Sequence, residues 1–193
     1  MTAQASFNVH RMVLCAVMAA VLCVIAPISM PIGPISVTGA TFAIYLTAYL
    51  LGGFAGAASV LVYLLVGFAG LPVFSGFMGG AARLLGPTGG YLVGYLPMVL
   101  LAGLLIQWAF RRFGGQESMS WPAAAVQFLG MVLGTAVLYV FGTAWYCVQA
   151  GVELKAALAA CVFPFIPFDL LKMAAALLVG IPVRRRLVRA KLL

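Results

Sequence analysis

The residues of this sequence best suited to chemistry in an apolar setting are an acid and a base three positions apart, Asp169 and Lys172. A spacing of three places both side chains on one face of a helix. A charge inside a membrane costs at least about 2.5 kcal/mol on insertion scales, so such residues usually mark a ligand site or a partner. The pair therefore predicts ligand contact. The alternative is a structural pair that joins two helices, although desolvation makes such pairs poor stabilisers.

A second candidate region, residues 67–95, holds nine glycines and two prolines. Each interior glycine costs a helix about 1 kcal/mol relative to alanine and each proline about 3 kcal/mol, so this composition predicts a loop. Non-helical backbone in a membrane protein is tolerated where protein buries it or where it lines an aqueous cavity. We therefore expect the loop to form part of a binding site. The candidate residues in it are Phe74, Gly76, Gly79, Gly80, Arg83 and Tyr91.

These loop candidates have different chemistry. Phe74 and Tyr91 would supply an aromatic wall. Arg83 would either contact an anionic ligand or lie solvated in the loop, and the sequence leaves both readings open.

Residues arranged for catalysis or metal binding are absent from the sequence. The single histidine, His10, precedes the first apolar segment, and no phosphate-binding or ATPase motif occurs. The four cysteines lack CxxC spacing. We therefore predict a protein that is not an enzyme, has no cofactor or metal, and cannot hydrolyse ATP by itself.

The elements that position these residues must be membrane helices. The chain is 65% hydrophobic and 7% charged, which excludes a soluble domain. Its apolar runs are continuous, whereas a membrane barrel would alternate apolar and polar residues. We predict an all-α integral membrane protein with one domain over residues 1–193, six transmembrane helices, and the irregular glycine-rich outer loop between helices 3 and 4. The predicted helices are residues 11–30, 36–52, 54–70, 91–110, 121–148 and 158–183.

The Lys and Arg residues predict the orientation. Eight of the eleven lie at one side of the six predicted helices, and two, Arg83 and Lys155, lie at the other. The positive-inside rule therefore predicts a multi-pass protein of the cytoplasmic membrane with both termini cytoplasmic. Because these charges sit at span ends, the net charge of +8 does not indicate nucleic-acid binding. The connection that contains Pro27, Pro31 and Pro34 is predicted to be a stiff, extended outer lid.

The motifs of the candidate region resemble those of a known family. The run GLPVFSG at residues 70–76, the pair Gly79-Gly80 and the run LGPTGGY at residues 85–91 closely resemble the signature of the BioY family. The sequence FIP at residues 165–167, leading into Asp169 and Lys172, resembles that family's sixth helix. The proline-rich connection resembles its first loop.

The resemblance implies a biotin-binding substrate-specificity (S) component of an energy-coupling factor (ECF) transporter. Such a protein captures biotin from outside and works with a transmembrane coupling (T) protein and two ABC-type ATPases. Asp169 would accept hydrogen bonds from the two ureido N–H groups of biotin, and Lys172 would donate to the ureido oxygen or to the carboxylate. Gly76, Gly79 and Gly80 would cradle one end of the ligand with their backbone. Ala16 and Ala20, a small-xxx-small pair, resemble the family's docking surface for the T protein, although packing within the chain is the alternative.

Three positions depart from the family pattern: Ala40, Met78 and Leu92 stand where some members carry polar residues. These changes delete groups that could contact the ureido ring or the carboxylate. They leave open an S component for a different vitamin or precursor. A third alternative is a structural membrane protein without a ligand, in which Asp169 and Lys172 only lock helices together.

Overall fold

The computed structural model describes residues 9–32, 35–113 and 121–190. These residues form helices and one small antiparallel sheet. In chain order the elements are α1 (Val9–Ile25), β1 (Ser29–Ile32), β2 (Ile35–Thr38), α2 (Ala40–Leu51), α3 (Gly53–Phe68), α4 (Ala81–Leu85), α5 (Gly89–Arg112), α6 (Trp121–Ala150), α7 (Leu154–Cys161) and α8 (Ile166–Arg189).

The predicted all-α membrane class is confirmed at the level of apolar helices. Within the described ranges, three helices have the length and hydropathy of a membrane span: α5, α6 and α8, with 24, 30 and 24 residues. Helices α1, α2 and α3 are apolar but shorter, with 17, 12 and 16 residues. At 1.5 Å per residue α2 is about 18 Å long, less than the roughly 30 Å of a bilayer's hydrocarbon core.

The proline-rich connection is a β-hairpin. Strands β1 and β2 pair antiparallel, with Ser29 opposite Thr38 and Ile32 opposite Ile35. The sequence predicts an extended connection but not this pairing, and it predicts helix at residues 29–30 and 36–38, where the structure has strand. Proline disfavours helix and leaves an edge strand possible, which explains the difference.

The irregular glycine-rich backbone is shorter than predicted. Turns and bends occupy residues 69–80, and positive φ angles occur at Gly70, Gly76 and Gly80 and at the non-glycine Phe77. Helix α5, however, begins at Gly89, two residues before the start of the predicted fourth helix (residues 91–110), so the last part of the glycine-rich region, residues 89–95, is helical. A Cβ atom on Gly89 would lie 1.7 Å from the Leu84 carbonyl oxygen. This glycine therefore serves close packing at a helix start rather than a loop.

The predicted sixth helix is divided into two. Helix α7 ends at Cys161 and α8 begins at Ile166, so the irregular start expected from Pro164 and Pro167 lies at residues 162–165. Pro167 falls in the first turn of α8, where proline is tolerated because its missing N–H would have no helical partner. The break places Asp169 in the first turn of α8.

Helix α2 occupies the centre of the helix packing. Ten of its twelve residues are buried, and it packs against α1, α3, α5 and α8. Helices α5 and α6 form the largest interface. Gly130 and Gly134 lie in it, because added Cβ atoms would approach Leu105 Cβ to 2.9 Å and the Met98 carbonyl oxygen to 2.8 Å.

The positive-inside rule predicts that Arg184 lies at the cytoplasmic end of a span, but it does not predict that the side chain is buried. The structure buries this residue, and its Nη1 donates to the carbonyl oxygens of Tyr49 and Leu50 at 2.7 and 2.8 Å. Its guanidinium carbon lies 4.4 Å from the ring centroid of Phe110. Arg184 thus satisfies carbonyls at the C-terminal end of α2, which would otherwise lack helical partners.

Candidate functional site

A cavity opens among β2, α2, the glycine-rich loop and helices α4 to α8. Helices supply the buried polar side chains, and the hairpin and the loop supply the rest of the wall. The lining residues are Ile35, Ser36, Val37, Thr38, Thr41, Phe74, Ser75, Arg83, Thr88, Tyr91, Leu92, Tyr95, Leu138, Tyr139, Cys161, Phe165, Asp169 and Lys172. Apolar and aromatic surface with a few convergent polar groups is the usual composition of a small-molecule site.

Four of these residues, Thr41, Tyr139, Asp169 and Lys172, form a hydrogen-bonded polar corner. Asp169 Oδ1 accepts from Thr41 Oγ1 at 3.1 Å and from Lys172 Nζ at 3.1 Å. Asp169 Oδ2 accepts from the Tyr139 hydroxyl at 2.7 Å. Lys172 Nζ also donates to Thr41 Oγ1 at 2.9 Å. The corner thus joins α2, α6 and α8 around one buried carboxylate.

The polar corner has hydrogen-bonding capacity to spare. A carboxylate offers about four acceptor positions, and three on Asp169 are occupied. A lysine ammonium has three N–H donors, and two on Lys172 are occupied. The side chain of Asp169 is 6% exposed and that of Lys172 is 17% exposed, so the unused capacity lies in a sheltered setting.

Helix geometry explains why Asp169 and Lys172 meet. They are three residues apart in α8 and form a salt bridge with a 3.1 Å separation. Asp169 lies in the first turn of that helix, where the helix dipole favours a negative charge. The predicted common face is therefore confirmed, and both side chains line the cavity.

Three of the predicted loop residues also line the cavity: Phe74, Arg83 and Tyr91. Phe74 is buried with its ring edge-on to Tyr63, at a centroid distance of 5.6 Å. The Tyr91 hydroxyl donates to the Cys161 carbonyl oxygen at 3.3 Å. The side chain of Arg83, on α4, forms no hydrogen bond or ion pair with any residue that the structure describes. Its charge is therefore available to an anion.

Gly76, Gly79 and Gly80 do not line the cavity in the part of the chain that the structure describes. The Gly76 N–H donates to the Pro27 carbonyl oxygen at 3.1 Å, and the Gly80 N–H donates to the Gly67 carbonyl oxygen at 2.7 Å. Both amides are thus used within the protein. A Cβ atom on Gly79 would lie 2.2 Å from the Leu71 carbonyl oxygen. These glycines shape the loop that brings Phe74 and Ser75 to the wall.

Ala16 and Ala20 lie on the exposed side of α1, whereas Met18, Ala19 and Leu22 are its buried residues. The alanine pair is therefore not used for packing within the described residues, and a partner could reach it.

Thr41 and Tyr139 are site residues that the sequence does not predict. Both are ordinary residues of apolar helices, and only the fold brings them to a carboxylate 128 and 30 residues away. A weak signal existed for Thr41, because a polar residue in an apolar segment needs a hydrogen-bond partner.

The arrangement can hold a small polar group by hydrogen bonds against apolar and aromatic walls. A group of three or more His, Cys, Asp or Glu side chains that could bind a metal ion does not occur among the described residues. The corner therefore offers binding chemistry, with donors and acceptors side by side.

A model of the BioY family matches residues 1–189. The chain belongs to the BioY family. The resemblance of its motifs is thus confirmed over nearly the whole length.

Curated relatives agree with this placement. The chain is 33% identical over 177 residues to the biotin transporter BioY of Thermotoga maritima, covering 91% of this chain and 96% of the relative. It is 33% identical over 180 residues to the biotin transporter BioY2 of Lactococcus lactis, covering 93% of each.

A solved structure is similar to this family member. It is the S-component for biotin from an ECF-type ABC transporter, which superposes with a TM-score of 0.76 at 28% identity. The match covers 98% of this chain and 95% of the other. The fold described above is therefore similar to that of this S-component over nearly its whole length.

Proposed function

We propose that this BioY-family chain is the S component of an ECF-type transporter and that it binds biotin from the outer side of the cytoplasmic membrane. The relatives named above are biotin transporters, and the similar solved structure is a biotin S-component. The protein is a transport subunit and not an enzyme.

The observation that carries the proposal is the polar corner around the buried Asp169 carboxylate, which lines the cavity. Biotin has a ureido ring with N–H donors and a carbonyl acceptor, fused to a thioether ring. Asp169 accepts a ureido N–H, and Lys172 donates its unused N–H to the ureido oxygen. A buried charge pair stabilises a fold poorly, which favours ligand binding as its role.

The rest of the cavity suits the remainder of biotin. The thioether ring and the valeryl chain lie against Phe74, Tyr91, Leu92 and Phe165, which are buried apolar or aromatic wall residues. The carboxylate of the chain pairs with Arg83, whose guanidinium has no partner among the described residues. Gly76, Gly79 and Gly80 contribute by holding the loop that carries Phe74. The β-hairpin serves as the outer lid, since its Ile35, Ser36 and Val37 line the cavity.

The membrane arrangement that accompanies this function has six crossings, made by α1, α2, α3, α5, α6 and α8. Helices α2 and α3 carry no charged residue, and α1 carries its only charge, Arg11, near its N-terminal end. Helices α2 and α3 are separated only by Gly52, with φ of 80°. Both termini lie in the cytoplasm, in agreement with the positive-inside count.

The partners are a transmembrane coupling (T) protein and two ABC-type ATPases, because the chain has no ATPase motif of its own. Docking uses the exposed side of α1 around Ala16 and Ala20. Small residues there allow a partner helix to approach closely.

The test is a calorimetric titration of ligand-free protein with biotin. We expect nanomolar affinity, about −12 kcal/mol, with one biotin per chain. Competition with desthiobiotin and with unrelated vitamins checks selectivity. A folded protein that binds none of these would overturn the proposal. Binding of another vitamin and not of biotin would support the alternative of an S component with a different ligand. Of the three positions that depart from the family pattern, Leu92 lines the cavity, whereas Ala40 and Met78 do not.

A further inference from the structure

The polar corner leaves one hydrogen-bonding requirement of a ureido ring unmet. The ring presents two N–H donors and one carbonyl, and it therefore needs two acceptors and one donor. Lys172 has one N–H to spare, which serves the carbonyl. Asp169 already accepts three bonds, so about one acceptor position remains for one ureido N–H. A second acceptor must come from another group at the cavity wall.

We infer that Tyr139 is a specificity-determining residue, whose hydroxyl oxygen accepts the second ureido N–H. This inference rests on the proposed function. A phenol hydroxyl has one proton to donate and lone pairs that accept. Asp169 is an acceptor, so the 2.7 Å contact commits the Tyr139 proton to Oδ2. Towards the cavity, which Tyr139 lines, the hydroxyl can then only accept.

Two other hydroxyls that line the cavity, those of Thr41 and Tyr91, are less suited. Thr41 Oγ1 donates to Asp169 and accepts from Lys172, so its proton is committed and its oxygen is already in use. The Tyr91 hydroxyl is 3.3 Å from both Thr143 and Cys161, outside the polar corner. Tyr139 and Asp169 Oδ2 are adjacent acceptors, and two adjacent acceptors match a ligand with two neighbouring N–H groups.

The consequence is selectivity for a group with two N–H donors on one ring. A ligand in which oxygen replaces the N–H that faces Tyr139 would bring two acceptors together. This mismatch leaves both groups without a donor in a sheltered site, and it should weaken binding by about tenfold to a hundredfold.

The experiment compares unmodified protein with Tyr139→Phe in titrations with biotin and two analogues, each with oxygen in place of one ureido N–H. The unmodified protein should discriminate against both analogues. Tyr139→Phe should bind biotin about tenfold or more weakly and should lose the discrimination against one analogue only. Tyr45→Phe is the matched control, because Tyr45 is buried, bonds Thr135 at 2.6 Å, and does not line the cavity. It should keep full affinity.

Two results would overturn the inference while leaving biotin binding intact. The first is that Tyr139→Phe binds biotin as tightly as the unmodified protein does. The other is an equal loss for biotin and both analogues, which would make Tyr139 only a residue that orients Asp169. If the variant does not fold, ring-fluorinated tyrosine at position 139 keeps the donated proton and weakens the oxygen as an acceptor. It should then reduce biotin affinity without lowering thermal stability, and an unchanged affinity would contradict the inference. Failure of the unmodified protein to bind biotin would instead refute the proposed function.

Discussion

Lys172 and Arg184 are two sheltered cations on the same helix, α8, and their surroundings differ. Lys172 faces a carboxylate, a hydroxyl and a cavity. Arg184 faces two backbone carbonyls and the ring of Phe110, and it does not line the cavity. A buried charge on a membrane helix therefore does not identify a ligand site by itself. Unused hydrogen-bonding capacity does not separate the two cations either, because the buried Nε of Arg184 also has no hydrogen-bond partner. The cavity beside Lys172 makes the difference.

The largest expected effect comes from Asp169→Asn. The amide would place N–H groups toward donors and leave Lys172 without a counter-charge, a change that costs about 3–5 kcal/mol for buried pairs. Biotin affinity should fall by a hundredfold or more, measured by calorimetry. Thermal unfolding in detergent is the control for folding. Undiminished affinity would show that the carboxylate is not a ligand contact.

Lys172→Met should produce the next largest effect. Methionine keeps much of the side-chain volume and removes the donor to the ureido oxygen, so affinity should fall about tenfold to a hundredfold. We expect the protein to remain folded, because the carboxylate keeps its bonds from Thr41 and Tyr139. If Lys172→Met instead unfolds and Asp169→Asn does too, the pair is a structural lock.

Arg184→Met is the matched change at the other end of α8. It removes two hydrogen bonds to α2 carbonyls and the contact with Phe110, which should destabilise the fold by about 1–3 kcal/mol. A lower unfolding temperature with unchanged biotin affinity is expected. Loss of affinity in the folded variant would break the division between the two cations.

Arg83→Ala should have the smallest effect. A partly exposed ion pair contributes up to about 1 kcal/mol, so biotin affinity should fall about fivefold at most. Biotin amide, which lacks the negative charge, should bind the variant and the unmodified protein equally. Lys155→Ala is the control for general electrostatic attraction, since Lys155 is exposed on α7 and does not line the cavity. An equal loss for biotin and its amide would contradict pairing with the carboxylate.

The contrast between the two cations also explains what the sequence could predict. Asp169 and Lys172 stand out because they are charges within an apolar run, and helix periodicity joins them. Arg184 belongs to a run of arginines at the end of a span, where the positive-inside rule accounts for it without reference to burial. Its contacts with α2 join residues 135 and 134 positions apart, and no local pattern reports them.

The glycine-rich region was predictable in kind but not in detail. Its composition predicts irregular backbone, which residues 69–80 have. The composition does not distinguish glycines with positive φ, such as Gly76 and Gly80, from glycines required by close contact, such as Gly89. For the same reason the ligand role expected for Gly76, Gly79 and Gly80 stays a prediction. Thr41 carries only a weak local signal and Tyr139 carries none.

The most direct test of the account is an experimental structure of the protein with biotin bound. We expect the ureido ring within hydrogen-bonding distance, roughly 2.7–3.2 Å, of Asp169, Lys172 and Tyr139, with the carboxylate toward Arg83. Biotin in the reverse orientation, with its carboxylate at Lys172 and its ureido ring away from Asp169, would contradict the assignment of the polar corner.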